Sequence, residues 1–238
     1  DGVNDILALK EADCSIAMAS GSEAAKNVSQ FILIDSKIDN LPKILKEGRR
    51  SINNLERSAT LFLNKTGYAS LLALLFIFIQ SNYPFEPIQL TLTSVFTIGI
   101  PSFILALEPN KDKIKGDFII NVFSKSLPCS LTIVSNILIL TIIGNLFKLN
   151  PSQISTLCVI MTGFTGFLLL FKICMPFNKL RLILIISLII GFIVTIVGLR
   201  TFFSLTLLNF KMFLFIICLV VISVLIFNLM NILVDKII

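Results

Sequence analysis

Histidine is absent from the 238 residues, and the five cysteines (Cys14, Cys129, Cys158, Cys174 and Cys218) are widely spaced with no CxxC pair. Spacing of that kind carries no metal or disulfide framework, so reduced, buried thiols are expected. Charge is scarce as well: 14% of residues are charged against 55% hydrophobic, and the mean hydropathy is +0.94. A soluble domain of this length needs far more polar surface. Acidic residues thin out sharply along the chain. Nine of the fourteen precede Ser58, and only Glu86, Glu108, Asp112, Asp117 and Asp235 follow it. Composition therefore shifts once, near residue 58, from cytosolic to membrane-like. No charged-then-apolar leader precedes the polar stretch, and the first residue is Asp1 rather than methionine. The expectation is the back part of a longer protein.

What is present is long and apolar. Six runs near 59–80, 88–107, 126–147, 153–174, 181–199 and 210–234 approach or exceed the roughly 20 residues needed to cross a bilayer. The fifth is short and interrupted by Gly191 and Gly198. Basic residues crowd the loop after the second run (Lys111, Lys113, Lys115, Lys125) and flank the loop after the fourth (Lys172, Lys179, Arg181). The opposite loops carry only Lys148, Arg200 and Lys211. The positive-inside bias then puts both termini in the cytoplasm of a multi-pass cell-membrane protein. It also accounts for the net charge of +6 without a nucleic-acid partner.

Residues 1–58 alternate between short elements. Ile6–Ala12 reads as helix, Cys14–Ala19 as strand, Ser22–Ser29 as a helix opened by a Gly-Ser cap, and Phe31–Ile34 as a second strand. A long helix from Asn40 to Ser58, with Pro42 in its first turn, runs into the first span. Strand–helix alternation implies a parallel sheet, but two short strands cannot enclose a core of their own. Further strands are expected from preceding sequence.

The chain opens Asp1-Gly2-Val3-Asn4-Asp5. Carboxylates and an amide around a glycine turn that enters a helix form a plausible Mg²⁺ and phosphate site. Read on, DGVNDILALKEADCSIAMASGSEAAKNVSQFILIDS resembles the end of the phosphorylation domain of P-type ATPases. GRRSINNLERS is similar to the helix joining that domain to the fifth membrane helix, and PIQLTLTSVFTIGIPSFILALEPN to the sixth. The resemblance covers about the first 110 residues and leans towards prokaryotic calcium-type pumps. It implies a mostly α-helical membrane bundle of six transmembrane helices, preceded by the C-terminal part of a haloacid-dehalogenase-like α/β domain. Residues 1–46 would be the domain remnant, 47–58 the linking helix and 59–238 membrane helices five to ten of a ten-helix pump. By the same resemblance Asp1, Asn4 and Asp5 serve phosphoryl transfer, with Asp1 and Asp5 on a Mg²⁺ cofactor. The family's nucleophile lies in a DKTGT motif that this sequence does not contain. Alone, the chain therefore forms no aspartyl-phosphate, and its partners are membrane lipids, the transported cation and the missing N-terminal part.

The resemblance also places cation ligands at Thr66 and Ala69 on one helix and at Ser94, Thr97 and Ile98 on the next. The spans hold no Asp or Glu in their interiors, whereas Ca²⁺ favours six to eight oxygens with some carboxylate charge. Two features keep a transport path in view. Gly99 and Pro101 break the second span or merely kink it; a break would free carbonyls toward an ion. Lys65, between Asn64 and Thr66, is either a built-in counter-charge or a side chain that snorkels to the interface. Asn136, Asn145, Thr162, Thr165, Asn228 and Asn231 are expected to bond neighbouring helices, and most of the 21 phenylalanines to face lipid. Three functions remain: an ATP-driven cation pump, Ca²⁺ first; a non-catalytic membrane scaffold or subunit; and a P-type lipid flippase.

Overall fold

The computed structural model describes residues 2–79 and 82–237. It divides into two compact units, with the boundary between Arg50 and Ser51 inside a helix. In the first unit α1 (Ile6–Glu11), β1 (Ile16–Met18), α2 (Glu23–Val28) and β2 (Phe31–Leu33) follow the expected order. The strands pair in parallel, Ile16 opposite Phe31 and Met18 opposite Leu33. Ser22 caps α2 by accepting the Ala25 N–H at 3.2 Å, which satisfies a backbone donor that the first helical turn leaves open. Ala17, Ala25 and Leu33 are buried, while Phe31, Ile32 and Ile34 stay exposed. Among the described residues the sheet has only these two strands, which leaves apolar side chains of β2 uncovered.

The boundary helix, α3, runs without interruption from Leu41 to Ile79. Beyond it lie α4 (Pro87–Ser94), a π-helical turn (Val95–Gly99), α5 (Ile100–Leu107), α6 (Phe118–Leu146), α7 (Pro151–Ile173), α8 (Lys179–Gly198) and α9 (Phe210–Ile237). Among the described residues six helical stretches are long and apolar enough to cross a membrane. The protein is a multi-pass membrane protein. The spans sit where hydropathy put them, with two differences. α6 begins at Phe118 rather than 126, because Asp117 accepts the N–H of Ile119 at 2.8 Å and so starts the helix two turns before its apolar run. The fifth span is one continuous helix despite Gly191, whose missing side chain admits the Phe96 ring.

The packing centre is α6 and α7. Over an apolar 18-residue stretch of each, 61% of residues are buried, against 22% in the matching stretches of the first and last spans. α7 allows close neighbours through two glycines: a Cβ on Gly163 would stand 2.3 Å from Phe192, and one on Gly166 2.8 Å from Thr97. Phe192 also stacks edge-on against Phe96 and Phe167, with centroids 5.8 and 5.5 Å apart. Some phenylalanines therefore build helix contacts rather than coat lipid. The five cysteines are free, as expected, but only Cys129, Cys158 and Cys174 are buried; Cys14 and Cys218 are exposed.

Candidate functional site

Asp1 lies outside the described residues. Its motif partners Asn4 and Asp5 occupy a single 3₁₀ turn, Val3–Asp5, that leads directly into α1. Both are exposed, and the Asp5 carboxylate accepts the Gly2 N–H at 3.1 Å. This bond folds the glycine turn back on the helix start. The turn presents the Asp5 carboxylate and the Asn4 amide oxygen, and oxygen ligands suit a hard cation such as Mg²⁺. No group of three or more His, Cys, Asp or Glu side chains among the described residues is arranged to hold a metal.

The intramembrane candidates do not converge. Consecutive residues on a helix point about 100° apart, so Asn64, Lys65 and Thr66 cannot share one face. Asn64 is buried, and its Oδ1 accepts the Ser130 hydroxyl of α6 at 3.1 Å. Lys65 is half-buried, and Thr66 is exposed with its hydroxyl donating to Phe62 O at 3.3 Å. Ala69 is half-buried. On the next span the Ser94 hydroxyl donates to Leu90 O at 2.6 Å and Thr97 to Thr93 O at 2.7 Å. Thr97 and Ile98 are both buried, and the Thr97 methyl side rests against Gly166 of α7. No hydrogen bond joins any two of Asn64, Lys65, Thr66, Ser94 and Thr97.

At Gly99 and Pro101 the helix neither breaks nor simply kinks. It widens into one π turn, in which the Ile100 N–H reaches back five residues to Val95 O. A proline has no N–H to donate, so the preceding turn loses one helical partner and its carbonyls are displaced. Thr97 sits inside this turn, and Ser102, just beyond it, has a buried hydroxyl without a partner. π turns of this kind concentrate at functional sites.

The interhelical expectation holds for three of its six residues. Asn136 donates to Thr165 at 3.2 Å and accepts from Ser223 at 3.0 Å, which ties α6, α7 and α9 together. Asn231 of α9 accepts from Lys172 of α7 at 2.6 Å. Asn145 and Asn228 are exposed instead, and the buried Thr162 hydroxyl has no partner.

Two features went unread. On α3 the residues Glu56, Thr60, Asn64, Tyr68, Leu72 and Phe76, four apart, are all buried. Their regular spacing was a visible signal, since residues at i and i+4 share a helix face. The second is Glu108, just past the end of α5. It is 6% exposed and receives Arg57 of α3 at 2.7 Å, Arg181 of α8 at 2.9 and 3.0 Å, and Asn178 at 2.5 Å. Burial by itself would raise its pKa. The hydrogen bonds from Arg181, Asn178 and Arg57 outweigh burial and hold the carboxyl below its ordinary value. The Arg181 guanidinium then reaches Cys174 O and Pro176 O at 3.2 and 2.7 Å, so one carboxylate ties α3 to the end of α5 and the start of α8.

A scan of protein-family models finds no match. Comparison with known proteins does. The probable cation-transporting ATPase exp7 of Streptococcus pneumoniae is 39% identical over 203 residues, 82% of this chain and 26% of that protein. The calcium-transporting ATPase CtpE of Mycolicibacterium smegmatis is 46% identical over 143 residues, 56% of this chain and 18% of that protein. A calcium-transporting ATPase of Bacillus subtilis is 31% identical over 118 residues, 48% and 13% respectively. The chain spans about a quarter or less of the length of these relatives.

Proposed function

We propose that this chain, which belongs by sequence with the P-type cation-transporting ATPases, supplies the membrane part of an ATP-driven cation pump, with Ca²⁺ as the cation. The observation that carries the reading is the 46% identity with a protein named as calcium-transporting, over a stretch longer than half the chain. Relatives named as cation transporters favour this over a lipid flippase or a scaffold. Residues 1–46 then belong to the phosphorylation domain, 47–58 to the link and 59–238 to the membrane domain. The lysine-rich loops and both termini face the cytoplasm of the cell membrane. ATP binding and the phosphorylated aspartate come from the rest of the protein.

In this reading Asp1 and Asp5 hold Mg²⁺, which neutralises charge on the transferring phosphoryl group. Asn4 and the Gly2 N–H keep the turn in shape beside it. The cation path runs past the π turn, where Ser94, Thr97 and displaced carbonyls offer neutral oxygens, while Asn64 and Thr66 contribute from different faces of α3. With no carboxylate in the six spans, charge compensation depends on helices supplied by the rest of the protein. Lys65 serves as a fixed counter-charge. Lys65→Ala in the full-length pump should change the number of cations moved per ATP, and an unchanged ratio would remove that role.

ATP hydrolysis by the purified full-length protein, with Mg²⁺ always present, should rise on adding micromolar Ca²⁺. Stimulation by Mn²⁺ or by acidification without any response to Ca²⁺ would replace Ca²⁺ as the cargo. No response to any cation would end the pump reading.

A further inference from the structure

A cavity of about 690 Å³ opens at the lysine-rich end of the six-helix unit, between α3, the loop 108–117, the start of α6 and the end of α7. Five cationic side chains line it, Arg57, Lys113, Lys115, Lys125 and Lys172, against two carboxylates, Glu56 and Asp112, with Arg57 already paired to Glu108 at 2.7 Å. Glu56 is already engaged by Lys125 and, at 3.2 Å, by Asn121. The loop that carries Lys113 and Lys115 is held in place. Asn53 of α3 donates to Asp112 O at 2.9 Å, and Asn121 of α6 donates to Lys115 O at 2.7 Å. Both lysines are exposed.

The cavity straddles the boundary between apolar and polar surroundings. Thr60 and Ile173 line it from within the membrane-spanning helices, while Lys113 and Lys115 lie beyond the helix ends. Met175, half its surface exposed, adds apolar lining. Excess positive charge at headgroup depth, above an apolar wall, selects an anion attached to hydrocarbon rather than a cation. We propose that this cavity binds the phosphate group of an anionic phospholipid from the adjoining leaflet. The lipid then ties the pinned loop, α3 and α7 together at the membrane surface. Free phosphate shares the charged chemistry but gains nothing from Ile173 and Met175. The inference needs only that the six helices lie in a membrane, and it stands apart from the choice of transported ion.

The test is lipid binding by the full-length protein, delipidated in detergent and followed by native mass spectrometry. Phosphatidylglycerol should bind about tenfold or more tightly than phosphatidylcholine, and the double variant Lys113→Gln/Lys115→Gln should lose about that factor for phosphatidylglycerol alone. Equal binding of the two lipids, or phosphatidylglycerol binding untouched by the double variant, would overturn the proposal. Full competition by equimolar inorganic phosphate would overturn the lipid as the source of the phosphate. Should the variant fail to fold, a photoactivatable phosphatidylglycerol on the wild-type protein gives the answer. Crosslinks within 110–125 or 172–175 support the site, and crosslinks confined elsewhere refute it.

Discussion

The middle of the six-helix unit and its lysine-rich end are held by different chemistry. In the middle, neutral groups make the bonds: Asn136 with Thr165 and Ser223, Asn64 with Ser130, and hydroxyls folded back on their own helices. At the end, ions do: Glu108 with Arg57 and Arg181, and Glu56 with Lys125. The difference follows from solvation. A charge in hydrocarbon must carry its own solvent, and insertion scales put the cost of a mid-span ion at about 2.5 to 3.5 kcal/mol, whereas water and headgroups at the interface lower that cost. Strong ionic locks therefore sit where the apolar runs end, and the middle keeps weaker bonds beside the π turn.

If that division is right, breaking the end should cost most. Glu108→Ala leaves Arg181 buried and Arg57 half-buried without their carboxylate, and about 3 to 5 kcal/mol of stability should be lost. Thermal unfolding of the full-length protein in detergent reads this directly. A Glu108→Ala/Arg181→Ala double variant should be less damaged than the two single losses combined, because only Arg57 is then left stranded. Next in size is steric intrusion in the middle. Gly163→Ala drives a methyl into the Phe192 ring and should cost about 1 to 3 kcal/mol, partly recovered by Phe192→Leu. Asn136→Ala removes only neutral bonds, and a loss of about 0.6 kcal/mol, at most about 1.7, is expected in the same unfolding measurement.

Acid should separate the regions too. Glu108 has its pKa lowered in the folded protein from the ordinary 4.5. A depressed carboxylate stabilises the fold above the unfolded pKa and loses that contribution as pH falls through the folded one. Unfolding temperature should be insensitive to Glu108 above about pH 5 and fall below the ordinary value, and Glu108→Gln should flatten that acid limb. The neutral bonds of the middle should give no such slope.

How much of this was legible follows the same divide. Span positions could be read because 20 apolar residues in a row have few other uses, and β1, α2 and β2 because cap and alternation signals are local. The ion lock could not. Arg57 and Arg181 lie 51 and 73 residues from Glu108, so no local pattern pairs them. Hydropathy missed the first turns of α6 because Asn121 and Lys125 are polar there, although Asp117 had already started the helix. Gly99 and Pro101 marked the site of the irregularity, while its kind depended on how the turn packs: Thr97 against Gly166 within a widened helix rather than a broken one. Thr66, Ala69, Ser94, Thr97 and Ile98 were read from resemblance and Lys65 from the cost of a charge inside an apolar run, and their directions on each helix had to come from packing.

Transport itself decides the central claim. Inverted membrane vesicles containing the full-length protein should accumulate radiolabelled Ca²⁺ only when ATP and Mg²⁺ are supplied, and Asp5→Ala should abolish uptake without lowering the amount of folded protein. Uptake without ATP, or none under any condition from correctly folded protein, would contradict a Ca²⁺ pump.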